Sequence, residues 1–329
     1  MQKHLISLLW VYLGVICSAT AQEIVAKRTV TIQGKITNSI KKHFLVDEYQ
    51  KGNFYARIAL GNNIHDYLVN GEQTKTLSAD VESDKHSKRV NNLEMDTDQK
   101  SFVSVDESNV IKVWGNASGL RATIQEKLMV GEIAINGSKL AYLAFNPSGS
   151  SAGIKVYDYL GKKSFSLKTN DLFMEVRFSP DGKYLMAYKP NILDAGKITV
   201  WDLTTRKIIF SETTNIQTAD FTPNSKYFVY EAYKKIYKYG VDGKQVYSSE
   251  IGVETRKHTF SADSKYIYAN GFYQFLKIDV ETGKIVKQIE YKKEILDKLL
   301  FSNDGMYALK ATENSITNEV NLTVFKIDW

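Results

Sequence analysis

Four aspartates, Asp181, Asp242, Asp263 and Asp304, recur along the chain and could converge as a ring of carboxylates. Such a ring would do acid–base work or hold a cation. Each one, however, stands in turn chemistry, as in Pro180-Asp181-Gly182 and Val241-Asp242-Gly243. An aspartate there bonds its own backbone, so the expected role is structural. Beyond the first twenty-one residues the histidines are His43, His65, His86 and His258. None lies within four residues of another, so no local metal pair is expected, and each reads as surface or satisfied core. Asp80, Glu82 and Asp84 alternate like half of a calcium loop, but the glycine and the later glutamate are missing. They read as part of a long, charged, solvated insert, Asp80 to Arg89. No His-Glu-x-x-His, Gly-x-Ser-x-Gly, P-loop or Gly-x-Gly-x-x-Gly occurs. The sequence therefore predicts no catalytic residue, no metal and no cofactor.

Other residues are suited to contact rather than catalysis. Lys189 to Gly196 carries Ile192 and Leu193 inside a polar loop, and Asn270-Gly-Phe-Tyr273 puts Phe272 and Tyr273 at a tight turn. Exposed aromatic and aliphatic side chains are what a protein or glycan surface uses. Asn146 to Gly153 reads as a flexible connection, with a lid as the rival reading. These four apolar and aromatic positions and the acidic insert, Asp80, Glu82 and Asp84 included, are the candidate partner-binding residues.

The elements that must carry them repeat. Phe178-Ser-Pro-Asp-Gly-Lys-Tyr-Leu185 reads as strand, tight turn, strand, and Lys197-Ile-Thr-Val-Trp-Asp202 as a third strand. Thr204-Thr-Arg206 turns into a fourth over Lys207 to Phe210. The turn lysine recurs as Lys100, Lys139, Lys183, Lys226 and Lys265, with Met306 in the sixth place, at intervals of 39, 44, 43, 39 and 41. The third-strand landmark recurs as Trp114, Tyr157, Trp201, Tyr239, Ile278 and Ile327. A more divergent first unit is built around Lys51 and Tyr67-Leu-Val-Asn-Gly-Glu-Gln73. Four antiparallel strands in about 40 residues is the period of a β-propeller blade, and the units number seven. The expected fold is all-β: one seven-bladed propeller over residues 22 to 329. Asn321 to Trp329 ends on a third strand with no fourth after it. The N-terminal strand, which alternates over Thr29 to Gln33, should pair beside it and close the ring. Deleting residues 22 to 36 should then destabilise the whole domain.

Phe178-Ser-Pro-Asp-Gly-Lys-Tyr, Phe221-Thr-Pro-Asn-Ser-Lys-Tyr, Phe260-Ser-Ala-Asp-Ser-Lys-Tyr and Phe301-Ser-Asn-Asp-Gly-Met-Tyr resemble the WD40-like and YVTN-type repeats of bacterial exported propellers. The resemblance covers nearly all of the chain past the leader and is strongest from about residue 170. Val200-Trp201-Asp202 looks like the WD corner. The units depart from true WD40 repeats in lacking the Gly-His dipeptide before each blade, which supplies the histidine of that family's Asp-His-Ser/Thr-Trp network. The motif is specific for fold and says little of function, since propellers host binding modules, hydrolases, lactonases and lyases.

Residues 1 to 21 read as a secretory signal peptide: Lys3, an apolar run from Leu5 to Cys17, and Ala19-Thr-Ala21 as the cleavage site. Lipidation at Cys17 is the rival reading, poorly served by Gly14-Val-Ile16. Cys17 is the sole cysteine, so the remaining chain has no disulfide. No later segment is apolar and long enough to span a membrane as a helix. The formal charge of +6 is dispersed in pairs such as Lys162-Lys163, Lys234-Lys235 and Lys292-Lys293, which protect edge strands rather than mark a nucleic-acid footprint. The sequence thus predicts an exported, monomeric, non-enzymatic propeller in the bacterial periplasm or outside, binding another protein of the envelope. A hydrolase or lactonase at the channel mouth is the alternative. Three or more carboxylates or histidines within hydrogen-bond reach there would favour it.

Overall fold

The Phe-Ser-x-Asp-x-Lys-Tyr motif folds as a turn locked by its own side chains. Ser179 Oγ donates to Asp181 Oδ1 at 2.7 Å, and that carboxylate accepts the Lys183 N–H at 3.2 Å. Ser179 Oγ in turn accepts the Tyr184 N–H at 3.0 Å. The same three bonds recur from Thr222 and Asn224, from Ser261 and Asp263, and from Ser302 and Asp304. The residue after the acid must take the left-handed conformation. Gly182 and Gly305 do so at φ 66° and 71°, and Ser225 and Ser264 at 59° and 60°. The aspartates serve their backbone, as their turn positions predict.

In this computed structural model residues 26–33, 44–50, 53–60, 63–69, 76–77, 86–96, 100–115, 119–191, 195–290, 299–302, 304–314 and 319–329 are described. They form no helix. Sheet 1 holds Phe44–Gln50, Asn53–Leu60, Asn63–Val69 and Thr76–Leu77. Sheet 2 holds Val90–Met95, Ser101–Asp106, Val110–Gly115 and Gly119–Gln125. Sheet 3 holds Met129–Asn136, Lys139–Phe145, Ser151–Asp158 and Lys163–Leu167. Sheet 4 holds Glu175–Phe178, Tyr184–Lys189, Gly196–Asp202 and Lys207–Thr214. Sheet 5 holds Ile216–Phe221, Tyr227–Ala232, Lys235–Gly240 and Gln245–Glu250. Sheet 6 holds Lys257–Phe260, Tyr266–Asn270, Gln274–Asp279 and Ile285–Glu290. Sheet 7 takes Leu299–Phe301, Tyr307–Asn314 and Glu319–Lys326, and its fourth strand is the N-terminal Ala26–Gln33. That strand runs antiparallel to the last, with Val30 opposite Leu322.

Every sheet is antiparallel, and sheets 1 to 6 are meanders. The first strands touch between sheets 1 and 2, 2 and 3, 3 and 4, 5 and 6, and 6 and 7, so they lie innermost. The fourth strands are outermost and alternate exposed with half-buried residues, as in Gly119–Gln125 and Gln245–Glu250. The core is divided between neighbours. Leu143, Ile154 and Leu167 of sheet 3 pack with Phe173, Val176 and Trp201 of sheet 4 and its entry. Met186 and Val200 pack with Phe221 and Phe228 in the next layer, and Val229 and Ile236 with Phe260 and Ile267 in the one after. Each such side chain, fully buried, contributes about 1.5–3 kcal/mol of transfer free energy. Stability therefore resides at sheet-to-sheet interfaces.

Register corrects two landmarks. Trp114, Tyr157, Trp201, Tyr239 and Ile278 each sit opposite the residue two past the turn lysine or one past it, as in Leu185 opposite Trp201 and Leu140 opposite Tyr157. In sheet 7 that place, opposite Ala308, belongs to Phe325. Ile327 instead matches Leu203, each donating its N–H to the turn residue's carbonyl, Met306 and Lys183. In sheet 1, Val69 opposite Phe54 holds the place expected for Tyr67, and Asn53 that of the turn lysine. Both slips are two residues, the strand period, and leave the apolar face unchanged. The stretch from Asn146 is also shorter than a flexible loop. Asn146 N–H bonds Ser150 O at 2.9 Å, and strand resumes at Ser151.

Candidate functional site

Three places collect groups that could act. The first is the inner axis. Arg177, near the end of the first strand of sheet 4, meets Glu175 Oε2 at 3.2 Å and Glu94 Oε1 of sheet 2 at 4.0 Å. Burial opposes its charge, but Tyr188, Asp220, Glu94 and Glu132 more than offset that, and the guanidinium stays firmly protonated. Tyr188 is buried, and burial raises its hydroxyl pKa while the Arg177 charge beside it pulls the other way. Asp220 accepts the Phe221 N–H at 2.8 Å. Among the described residues, the carboxylates of Glu94 and Glu175 come within ion-pair distance of Arg177. Neither residue was legible as a site in advance. The signal was a charge inside the otherwise apolar first strand of several units.

Lys257 shares this axis, and among the described residues its amine makes no ion pair or hydrogen bond. Burial lowers its amine to about 8, and Arg177 adds to the effect against Glu94 and Asp220. From about pH 8 to 10.5 the unfolded chain keeps a proton that the folded chain has shed, so this group makes stability rise with pH across that window. At neutral pH its charge costs folding free energy. Lys257→Met should raise stability at pH 7 by roughly 2 kcal/mol and abolish the rise between pH 7 and 9.5. Denaturant melts of both proteins at these two pH values check it. A Lys257→Met protein that is less stable at pH 7, or keeps the rise, contradicts the assignment.

The second place is at the mouth of sheet 2. The charged insert ends by folding His86 into the interior, where it is 2% exposed. His86 Nδ1 lies 3.0 Å from Asp106 Oδ2, and Nε2 lies 2.6 Å from Ser104 Oγ. Trp114 Nε1 donates to the same Ser104 Oγ at 2.7 Å. Indole only donates and a carboxylate oxygen only accepts, so Ser104 Oγ accepts from Trp114 and Nδ1 carries a proton facing Asp106. In the neutral ring Nε2 then accepts from the serine hydroxyl. Burial, the main cause, lowers the His86 pKa and keeps it so, although Asp106 pulls the other way. Asp106 Oδ1 also accepts the N–H groups of Ser108 and Val110, at 2.9 and 3.0 Å. This is the Asp-His-Ser-Trp network whose Gly-His dipeptide the sequence lacks. The histidine is present without the glycine, preceded by Lys85 and reached through the long insert. The network is structural: every donor and acceptor in it is used internally.

The third place is a face. In a meander the hairpins between second and third strands share one end with the links from sheet to sheet. Leu172 and Met174 lie in the link entering sheet 4, Tyr233 in the hairpin of sheet 5, and Phe272 and Tyr273 in the hairpin of sheet 6. All five are exposed, Phe272 by 43% and Tyr273 by 57%. Arg256 lies over the Phe272 ring at 4.0 Å. Of the predicted contact residues, Phe272 and Tyr273 are therefore at the surface and adjoining. Ile192, Leu193, Asp80, Glu82 and Asp84 lie outside the described residues. Among the described residues, no group of three or more His, Cys, Asp and Glu could hold a metal, and no helix is long and apolar enough to cross a membrane.

No family model and no curated protein matches the chain. Solved structures do. The β-propeller domain of Cps50 (Swd1) from Myceliophteria thermophila aligns with a TM-score of 0.59 at 15% identity, over 90% of this chain and 99% of that one. The fold is a β-propeller. A chain of a mitotic checkpoint complex aligns with a TM-score of 0.64 at 14% identity, over 99% of both chains. The propeller's innermost strands thus carry Glu94, Arg177, Asp220 and Lys257 towards its axis. One rim of the propeller carries the apolar arc from Leu172 to Tyr273. Both similar structures are at identities that speak for the fold alone.

Proposed function

We propose that the chain is a seven-bladed propeller of the bacterial exported WD40-like and YVTN type, closed by its N-terminal strand. It acts as a monomeric, non-enzymatic protein-binding module in the periplasm or outside the cell, after cleavage behind Ala21. The observation that carries the reading is the exposed arc Leu172, Met174, Tyr233, Phe272 and Tyr273 on one rim. Apolar side chains gathered in the loops of a rigid scaffold are the usual anchors of a protein interface. The axial carboxylates nearest Arg177 are engaged with its guanidinium, which leaves the rim as the better contact surface. The similar structures, one named for a complex, fit a propeller that works with other proteins.

The test compares the chain, expressed with its own leader, against a Phe272→Ala/Tyr273→Ala variant. Both are recovered from the envelope fraction and their partners identified. The module reading expects a partner held by the first and lost by the second, with unchanged melting of the variant. An identical partner set for both, or a protein that never leaves the cytoplasm, contradicts it.

A further inference from the structure

Charge is balanced where a groove of about 440 Å³ opens on the rim. Glu254, Glu290 and Lys234 line it, and Arg256 stands beside it with its guanidinium 4.0 Å above the Phe272 ring. Two acids against two cations leave no net charge to draw in an ion of either sign. The lining groups do not satisfy one another, however. Glu254, Glu290 and Lys234 are exposed, and among the described residues their side chains make no ion pair and no hydrogen bond. Gln274 Oε1 accepts from Gln288 Nε2 at 2.7 Å, which leaves the Gln274 amide N–H groups as donors. Carboxylate acceptors therefore stand beside amine and amide donors in one groove.

Backbone bonds hold these groups together. Gly271 N–H donates to Gln274 O at 2.9 Å and closes the hairpin that carries Phe272 and Tyr273. A Cβ at Gly271 would stand 3.3 Å from Glu254 O, so that hairpin lies against the link bearing Glu254. Gln274 pairs with Glu290 across the ladder. Lys234 O accepts the N–H groups of Ile251 and Gly252, at 2.9 and 3.2 Å, which ties the hairpin of sheet 5 to the same link. Walls fixed in this way have little freedom left to lose on binding. Tyr273 adds an apolar plane. It stands 57% exposed, and among the described residues its ring has no ring or cation partner.

A cation would bring donors but no acceptor for Lys234 and Gln274. A carboxylate or phosphate would bring acceptors but no donor for the two acids. An aliphatic side chain would cover the carboxylates and the amine without pairing them, which costs free energy. A pyranose ring has what each of these lacks. Its hydroxyls both donate and accept, neighbouring hydroxyls span neighbouring polar groups, and the C–H bonds of one face lie flat against an aromatic ring. We infer that the groove binds a neutral saccharide. The sugar ring stacks on Tyr273, and its hydroxyls donate to Glu254 and Glu290 and accept from Lys234 and Gln274. A free sugar and the end of a larger glycan share this chemistry. Leu172, Met174 and Tyr233 of the docking arc do not line the groove, so the sugar site and the protein face are separable by mutation.

Saturation-transfer NMR and calorimetry on the purified protein test the site, with maltose, cellobiose, lactose, mannobiose and N,N′-diacetylchitobiose as probes. At least one should bind with a Kd of about 1 mM or tighter, with an affinity that salt barely changes. Tyr273→Ala should weaken it about tenfold. Glu254→Gln/Glu290→Gln should weaken it about fivefold, since each charged acceptor becomes a neutral one. Leu172→Ala/Met174→Ala should leave it unchanged. No binding of any of these probes at about 10 mM, or wild-type affinity in Tyr273→Ala, overturns the inference. Adding the tightest disaccharide to the partner capture reads the source of the sugar. A partner released by it carries the glycan, and a partner that stays leaves a free sugar as the ligand. A partner lost by Phe272→Ala/Tyr273→Ala while no disaccharide binds keeps the docking face and removes the sugar.

Discussion

Asp106→Ala should lower the stability of the protein by about 3–5 kcal/mol, among the largest losses available to a single substitution here. Asp106 is fully buried and accepts three hydrogen bonds, from His86 Nδ1, Ser108 N and Val110 N. Alanine leaves all three donors in the interior with nothing to meet, at about 1–3 kcal/mol for each that stays dry. It also frees the imidazole to turn, and with it the serine hydroxyl that receives the Trp114 indole N–H. Asp106→Asn separates charge from geometry. The amide oxygen can still accept from Ser108 and Val110, so the loss should be smaller, about 1–2 kcal/mol. Guanidinium melts of the three proteins at pH 7.5 read the difference. Equal stability of wild type and Asp106→Ala would contradict a structural role for the network. Its pH dependence follows from His86. The folded pKa lies below the ordinary 6.5, so the unfolded chain takes up the proton first. This contribution is complete above about pH 6.5 and is lost as pH falls towards the folded value.

Removing residues 22 to 36 should abolish cooperative unfolding rather than shorten a tail. The deletion takes away Ala26–Gln33, the whole fourth strand of sheet 7, and exposes the edge of Glu319–Lys326 along its length. Sheet 7 shares a core with sheet 6, where Tyr268 and Phe275 pack with Phe301, Ala308 and Ile327. Weakness therefore passes to the neighbour. A bare edge of this kind also templates association. The expected result is a broad, low-temperature transition in calorimetry with aggregation on heating. A sharp transition at the unaltered temperature would show that the strand is dispensable.

Most of the architecture was legible because its determinants are local. The turn motif encodes a closed set of hydrogen bonds within six residues, so Ser179, Asp181, Lys183 and Tyr184 announce the turn wherever they recur. The Val30-to-Leu322 pairing was also foreseeable, since a last sheet with three strands needs a fourth and one unassigned strand remained. Register near Ile327 was not, because a two-residue slip leaves inside and outside unchanged. His86 escaped for a different reason. Its glycine is absent, and its partners Ser104, Asp106 and Trp114 are joined to it only across a long insert. The axis escaped too: Glu94, Arg177, Asp220 and Lys257 come from different units and meet only when the sheets are arranged around one line. Phe272 and Tyr273 were found because two aromatics at a two-residue turn have little interior to enter.

The pairing of Ala26–Gln33 with Glu319–Lys326 also sets an order of events during synthesis. Sheets 1 to 6 are each built from consecutive strands, so each can form as soon as its four strands have left the ribosome. Sheet 7 joins Ala26–Gln33 to Glu319–Lys326, and closure of the long loop between them must precede its hydrogen bonds. Until Glu319–Lys326 emerges, Ala26–Gln33 has no mate in sheet 7. A chain in which Glu319–Lys326 has not yet emerged is therefore the form most exposed to mispairing and to chaperones, and completion of sheet 7 waits for that strand.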